Sequence, residues 1–578
     1  MVLLRKTLYI LVLVILLASC ANRGIGPQGG PKDSIPPVPL KYEPEMGALE
    51  FKGKKIEVTF DEYLQLDNIA QNLLMSPPQQ TPPDVKARGK KLIVQFQDTL
   101  RDSTTYTIDF GSAVCDFREK VPLRGFNYYF STGSTIDTLE YTGFVYDAEN
   151  LTPRPSVFVG IHEILDDSAF TKEPFLRVAR TDSVGFFRIG NMRPGTYRLY
   201  AVDDISRDYR FTPGEAIAYH DETITPMDST SAIMYLFKEQ QQKLYMQRTT
   251  RDEQHLIRLS FSAPPDSLPE LRFMKDSLPI ELNYHTQYSR HNDTITLWLL
   301  DSAAIAIDSL FIEARYRRTD SVYQLEWATD TLRAIWRAPK LTAKAQAAQE
   351  RKNRNRRLEL RSNARTGFEM YDTLRLTCTT PLAAIERDSI HLFERVDTVL
   401  KPVKFTIADH DTLPMELRFI ADLKPDQQYE LKIDSGALHD IYGVTHIAGT
   451  YTLKLKTPAD YSTLRVKLNP FVEHARIQVL DKQDKVVREL PAVSEGAFFE
   501  YLKPDTYYLR FYVDENEDGQ WTTGSWDAKR QPEAVFYFPE KIQTKSNWDF
   551  EEEWDYTAVE QVKAKPAELI KASMNAKK

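Results

Sequence analysis

The 578-residue chain contains only three cysteines, Cys20, Cys115 and Cys378. That excludes a disulfide framework and a cysteine-rich zinc site. With Cys20 set apart near the N-terminus, Cys115 and Cys378 are read as two buried free thiols, a bridge between them being the alternative. After the first twenty residues no stretch approaches the ~18 apolar residues of a membrane-spanning helix. The net charge is −8, so nothing draws the whole chain toward nucleic acid. Nucleophile elbow, H-E-x-x-H, C-x-x-C and Walker A sequences are absent. The ten histidines are scattered, and none pairs with a carboxylate at helical ligand spacing. Gly24, Gly26 and Gly29 match G-x-G-x-x-G, but Pro27 and Pro31 interrupt them and no strand or helix flanks them. The chain is expected not to be an enzyme and to need no cofactor.

What is abundant is strand-forming sequence. Aromatics make up 11%, with 29 Tyr and 29 Phe. From about residue 50, Lys54–Phe60, Lys90–Phe96 and Thr104–Phe110 alternate apolar and polar residues between turn-formers, the pattern of a β-sandwich. Two internal repeats set the organisation. Arg193–Gly214 aligns with Lys503–Gly524 at a constant offset of 310 residues. Pro194 meets Pro504, Tyr197 meets Tyr507, Leu199 meets Leu509, Asp204 meets Asp514 and Asp208 meets Asp518. The upstream strand is expected to end at Phe187 in one copy and Phe499 in the other, before a Pro turn and a buried Tyr-Leu strand. A weaker pair joins Leu100–Asp116 to Leu423–Asp440, where Tyr106 meets Tyr429.

These repeats predict sandwiches over 34–135, 137–238, 240–338, 358–457 and 460–556. The stretch 358–457 repeats the first type, 460–556 repeats the second, and 240–338 is placed by Asp293–Leu300 and Asp308–Arg318 alone. Residues 340–357, rich in Ala, Gln, Lys and Arg, read as a basic helical linker. Residues 557–578 read as a charged, helical tail.

The N-terminus has its own logic. Arg5 and Lys6 precede an apolar run of about eleven residues, Thr7–Leu17, which is short for a bilayer and suited to a signal-peptide core. Leu17-Ala18-Ser19-Cys20 then resembles the lipobox of bacterial lipoproteins. The resemblance implies that residues 1–19 are a signal peptide, that Cys20 is lipidated, and that 20–33, dense in Gly and Pro, is a flexible tether. Residues 21–23 lack the Asp that retains enterobacterial lipoproteins in the inner membrane, which implies the outer membrane. They also lack the acidic run of some surface-exported Bacteroidetes lipoproteins, and the face of the membrane stays open between periplasm and surface.

Further resemblances cover most of the chain. Residues 34–135, with Asp33–Leu40, Lys54–Leu64 and Leu100–Phe117, resemble the bacterial Ig-like domain described in S-layer proteins. Residues 137–238, with Tyr141–Asn150 and Arg180–Asp204, resemble the transthyretin-like, carboxypeptidase-regulatory sandwich. The lead Cys20–Pro37 resembles that of Ig-like lipoproteins of Bacteroidetes. The implied architecture is all-β: a string of Ig-like and transthyretin-like sandwiches with one short helical linker and a lipidated N-terminal tether. Such motifs speak to fold and say little of activity.

The sharpest local signal is Asp514–Trp521. Asp514, Asn516 and Asp518 take positions one, three and five of a calcium-loop pattern, with Gly519 at six and Asp527 as a further oxygen. Position twelve holds Ser525 in place of the bidentate Glu, so the pattern reads either as a weak Ca2+ site or as an acidic turn. The companion loop has Asp204, Ser206 and Asp208, but Tyr209 in place of the glycine. The basic run Arg351–Arg357 reads as a solvated spacer, or as a contact for an acidic partner or anionic glycolipid. The expectation is a non-catalytic outer-membrane lipoprotein, held to the membrane through Cys20, that scaffolds or binds an envelope protein. The alternative is a carbohydrate-binding or adhesion lipoprotein that presents Tyr128, Tyr129, Trp521 and Trp526 to a glycan. Replacing the lipidated residue separates anchor from chain: Cys20→Ser should abolish acylation and release the protein from membranes. Its retention in washed, salt-stripped membranes would contradict the anchor.

Overall fold

The computed structural model describes residues 33–576 apart from 227–230, 240–243, 276–277, 290, 321–323, 339–341, 343, 346–350, 352–355 and 409–413. The stretches expected to be a signal peptide (1–19) and, except for Asp33, a tether (20–33), Cys20 included, therefore lie outside the described residues, as does much of the expected linker (340–357). Within the linker, Lys344, Ala345 and Arg351 are helical, whereas Arg356 and Arg357 are not. The fold is all-β, and the helices among the described residues are short, the longest being Ala567–Ala576. Two compact units form, Met1–Tyr146 with Pro153–Leu236 and Asp147–Thr152 with Phe237–Lys578. Hydrophobic cores gather residues 56–130, 141–236, 244–334, 358–455 and 464–554.

Alternation builds the first core. Along Lys55–Phe60, Ile56, Val58 and Phe60 are buried while the residues between them face outward. Lys91–Gln95 and Thr105–Asp109 repeat the pattern with Leu92, Val94, Tyr106 and Ile108. One four-stranded sheet runs Pro39–Glu43, Lys55–Phe60, Lys91–Gln95, Asp84–Arg88, and a three-stranded sheet runs Leu74–Ser76, Thr105–Asp109, Asn127–Ser131. Residues 360–455 reproduce both orders with equivalent strands, the second sheet gaining one strand at each edge. The corner tyrosines agree in chemistry. Tyr106 Oη accepts the Arg101 N–H at 2.7 Å, and Tyr429 Oη accepts the Lys424 N–H at 2.7 Å. Residues 246–335 carry the same four-stranded order, Met246–Glu253, Leu256–Phe261, Thr294–Leu299, Tyr284–Tyr288. Its tyrosine is Tyr316, which accepts the Met246 N–H from a different part of the chain.

The other repeat also folds alike. Phe158–His162 pairs with Arg198–Val202 in a register that sets Ile161 opposite Leu199; Ala475–Leu480 pairs with Thr506–Val513, setting Val479 opposite Leu509. Tyr197 bridges Ile224 and donates to the Arg193 carbonyl at 3.0 Å. Tyr507 pairs with Ile542 and donates to the Lys503 carbonyl at 2.9 Å. The upstream strands run past Phe187 and Phe499, to Met192 and Leu502. The sequence expectation ended them too early, because Ile189 and Met192 in one copy, and Leu502 in the other, still point into the core.

The chain's end, read as a charged and helical tail, is in part buried. Val562, Ala564, Lys565 and Leu569 are buried, and Ala567–Ala576 is helical. Lys565 Nζ donates to the Asn150 carbonyl at 2.6 Å, to Thr152 Oγ1 at 3.1 Å and to Asp484 Oδ2 at 2.7 Å. A lysine is fully buried only where acceptors replace its water, and these three do. Cys115 and Cys378 are free and buried. Burial pushes the Cys378 thiol up to about 12 and raises that of Cys115 as well, so both are poor nucleophiles.

One buried group ties stability to pH. His162, on Phe158–His162, packs against Phe175 and Tyr200, and its Nε2 finds no hydrogen-bond partner. Burial lowers its pKa from 6.5 to about 4, so the folded state holds it neutral. The unfolded chain takes up the proton first as pH falls, and stability is lost between 6.5 and about 4. Its full cost is roughly 3 kcal/mol. His162→Phe should flatten the loss of thermal stability of the first unit across that window, as read by calorimetry. An unchanged pH profile would assign the acid sensitivity elsewhere.

Candidate functional site

The paired acidic loops are built by carboxylates turned onto the backbone. In the second copy, Thr506–Val513 ends and the chain reverses at Gly519, whose φ of 76° is the left-handed conformation that glycine enters freely. Asp514 is buried, and its Oδ1 and Oδ2 accept the N–H groups of Asp518 at 3.1 Å and Gly519 at 2.9 Å. Asn516 Oδ1 accepts the same Asp518 N–H, and Asp518 Oδ1 accepts that of Gln520 at 2.7 Å. Asp518 Oδ2 takes the Asn516 side-chain amide at 3.0 Å. In the first copy Asp204 accepts the N–H groups of Arg207 at 2.6 Å and Tyr209 at 2.7 Å, and Asp208 that of Arg210. Tyr209 stands where the second copy has Gly519, at a φ of 59°. Its ring packs edge-on against Phe158, a contact that offsets the unfavourable backbone.

The structure thus brings Asp514, Asn516 and Asp518 together, with their oxygens engaged by N–H donors that a cation would have to displace. Asp527 is exposed and bonds to none of the described residues of this loop. Among the described residues no group of three or more His, Cys, Asp or Glu side chains is disposed to hold a metal ion. The reading of the sequence missed a second carboxylate in each loop. Glu533 accepts the N–H groups of Glu515 and Thr522, at 3.0 and 2.8 Å. Glu215 accepts those of Ile205 and Thr212, at 3.2 and 3.0 Å. Burial raises the carboxyls of both Glu533 and Glu215. The constant offset stops at Gly214 and Gly524, because the second copy inserts a short turn closed by a Ser525–Arg530 bridge. Beyond it the offset becomes 318 residues and the two glutamates no longer align by eye.

A second set of buried charges joins the sandwiches of the first unit. Arg177 opens the short strand Arg177–Arg180, where it is buried beside Val178 and Ala179, and it donates to the carbonyls of Thr105 and Ser76. Arg180 donates to the Gln71 and Asn72 carbonyls at 2.7 and 3.2 Å, and Arg207 to those of Ala70 and Gln71. The Val178 N–H reaches Ser76 Oγ at 3.1 Å, and Thr107 Oγ1 reaches Asn191 Oδ1 at 2.7 Å. In the second unit Glu369 plays the complementary part. It accepts from Tyr461 Oη at 2.8 Å and from Lys456 at 3.0 Å, with Lys503 Nζ also at 3.0 Å. Burial works to raise its carboxyl, and those donors outweigh burial and hold it below the ordinary value. An arginine set between Phe175-Leu176 and Val178-Ala179 is the sequence signal that could have found Arg177.

The aromatics assigned to a glycan surface divide. Tyr128 is fully buried and its hydroxyl donates to the Pro44 carbonyl, and Trp526 is 7% exposed. Alternation along Asn127–Ser131 turns Tyr128 inward and leaves Tyr129 outward. Trp521 is half-buried, with its indole N–H on the Glu533 carbonyl. Two of the four are therefore core residues, which corrects their reading as surface aromatics. Of the basic run, Arg356 lies over the Tyr442 ring, 5.4 Å from its centre. Residues 352–355 lie outside the described ones.

Residues 33–132 match the family model of the bacterial Ig-like domain. No curated protein sequence matches the chain. Among solved structures, it is similar to the S-layer protein rSbsC at 10% identity, covering 84% of this chain and 67% of that one, with a TM-score of 0.14. It is similar to a titin Ig tandem at 12% identity, covering 37% of this chain and 96% of the tandem, with a TM-score of 0.12. At scores this low the likeness carries no functional argument.

The loop chemistry is open to direct test. Asp514→Ala leaves the Gly519 N–H without its acceptor and the Asp518 N–H with Asn516 Oδ1 alone, a loss of about 2 kcal/mol. It should lower the melting midpoint of the last sandwich by roughly 10 °C or more, with or without millimolar calcium. A calcium-dependent rise in the midpoint of the unaltered protein, removed by Asp518→Ala, would instead make the loop a metal site.

Proposed function

We propose that the chain is a non-catalytic lipoprotein of the outer membrane, anchored through Cys20, whose sandwiches act as an envelope scaffold or protein-interaction module. The observation that carries this reading is the joint inside the first unit. Arg177, Arg180 and Arg207 bond to main-chain carbonyls of the preceding Ig-like sandwich. Side chains that bind backbone tie a whole strand end and not one rotamer, so such a joint resists bending. A scaffold needs that stiffness, whereas an enzyme needs a cleft with converging reactive groups.

The lipobox-like Leu17–Cys20 supports the anchor, and the Gly- and Pro-rich segment after it would carry the sandwiches clear of the bilayer. Residues 137–238 and 460–556 are proposed as transthyretin-like copies on their shared register. The five stretches expected from sequence are proposed as the folding domains. Loops at sandwich ends are the natural contact points because the core fixes their position while their sequence is free to vary. Ile205, 88% exposed at the tip of the Asp204–Tyr209 loop, is one such point. The partner is proposed to be an envelope protein.

A photo-crosslinking amino acid at Ile205 or Phe471, both exposed, tests this in intact cells. A discrete adduct with one envelope protein, lost in Cys20→Ser cells, is the expected result. Adducts with none, together with saturable retention of the purified protein on an envelope polysaccharide, would favour the adhesion reading.

A further inference from the structure

Within the first unit lies a small cavity of about 80 Å³ that the joint does not fill. Arg101, Thr104, Glu163, Arg177, Arg193 and Tyr197 contribute to its wall. Three of these side chains are guanidiniums, and their counter-charges are few. Arg177, 7% exposed, lies 3.5 Å from Asp137 Oδ2, and Arg193 Nε reaches the same oxygen at 3.3 Å. One carboxylate therefore serves two guanidiniums, and Glu163 is the only acidic side chain in the wall itself. Arg177 Nη1 is used by the Ser76 and Thr105 carbonyls, and Arg193 Nη2 by the Ser103 carbonyl. Arg101 gives its main-chain N–H to Tyr106, and its guanidinium makes no hydrogen bond or ion pair among the described residues.

The chemistry of this wall is that of an anion site. A buried cation without a full counter-charge is costly, and a ligand that supplies the charge recovers that cost. Guanidinium forks match pairs of oxygens on phosphate and carboxylate. A carboxylate offers only about four lone-pair sites, fewer than the unused donors of three arginines, so a tetrahedral oxyanion fits better. The space admits one such group and no chain behind it. Burial, the largest influence, lowers the Arg177 guanidinium to about 10, and Arg193 pushes it the same way against Asp137.

We propose that this cavity binds a single phosphate-type oxyanion between Arg101, Arg177 and Arg193. The source is either free phosphate or the terminal phosphate of a headgroup, with the rest of the molecule outside the mouth.

Titration calorimetry and melting of the purified protein in a phosphate-free buffer test it, with inorganic phosphate and glycerol 3-phosphate as probes. Saturable heat and a raised midpoint for the first unit are expected with inorganic phosphate. Arg101→Gln, a change at an exposed side chain, should weaken binding about tenfold, the scale of one charge-assisted pair. Arg124→Gln, exposed and away from the cavity wall, should leave it unchanged. Binding of both probes assigns a headgroup phosphate, and binding of inorganic phosphate alone assigns the free ion. No heat and no midpoint shift with either probe would overturn the proposal. So would equal affinities for Arg101→Gln and Arg124→Gln.

Discussion

A β-sandwich satisfies its own main chain everywhere except where strands stop, and this molecule meets that constraint with buried charge. Several of its turns fold a carboxylate back onto their own N–H groups. Asp116 takes those of Arg118, Glu119 and Val121, and Asp440 those of Tyr442 and Val444. Asp204 and Asp514, with Glu215 and Glu533, do the same in the other sandwich type. Where carbonyls are left inside, a buried cation donates to them, as Arg177 and Lys565 do, and the half-exposed Arg180 and Arg207 do the same nearer the surface. An unmet buried main-chain group costs about as much as a whole hydrogen bond. The charged residues of the interior are therefore parts of the backbone's bonding.

That constraint explains what the sequence revealed and what it hid. Strands such as Lys55–Phe60 were legible because alternation of apolar residues is local. The duplication around Tyr197 and Tyr507 was legible because a turn, a tyrosine and an aspartate recur at fixed spacing. The likeness of 246–335 to its neighbours was not, since its tyrosine, Tyr316, takes an N–H from Met246 in the other sheet instead of from a turn a few residues away. Glu215 and Glu533 were hidden by an insertion that breaks the offset. The same acidic residues that suggested a calcium loop are the ones closing the turn, because a carboxylate that collects N–H groups and one that collects a cation leave the same pattern in sequence. Lys565 looked like part of a charged, helical tail, and only its acceptors, Asn150, Thr152 and Asp484, reveal why it is buried.

These bonds also shape what the chain can do. Carboxylates already engaged by N–H groups, and thiols pushed up by burial, are poor material for catalysis. Side chains fastened to the backbone of a neighbouring sandwich are good material for holding a fixed spacing. The Ig-like match over residues 33–132 agrees with that division, being a fold in which the core is constant and the loops carry specificity.

The central claim is that Arg177, Arg180 and Arg207, by bonding to main-chain carbonyls of the neighbouring sandwich, make the first two sandwiches one rigid body. Spin labels at Lys52→Cys and Lys172→Cys, both exposed positions, report the distance between them by pulsed electron resonance, since the native thiols Cys115 and Cys378 are buried. The account predicts one narrow distance distribution in the otherwise unaltered protein, broadened by Arg177→Ala with Arg180→Ala. A distribution already broad with both arginines present, and unchanged by their loss, would contradict it.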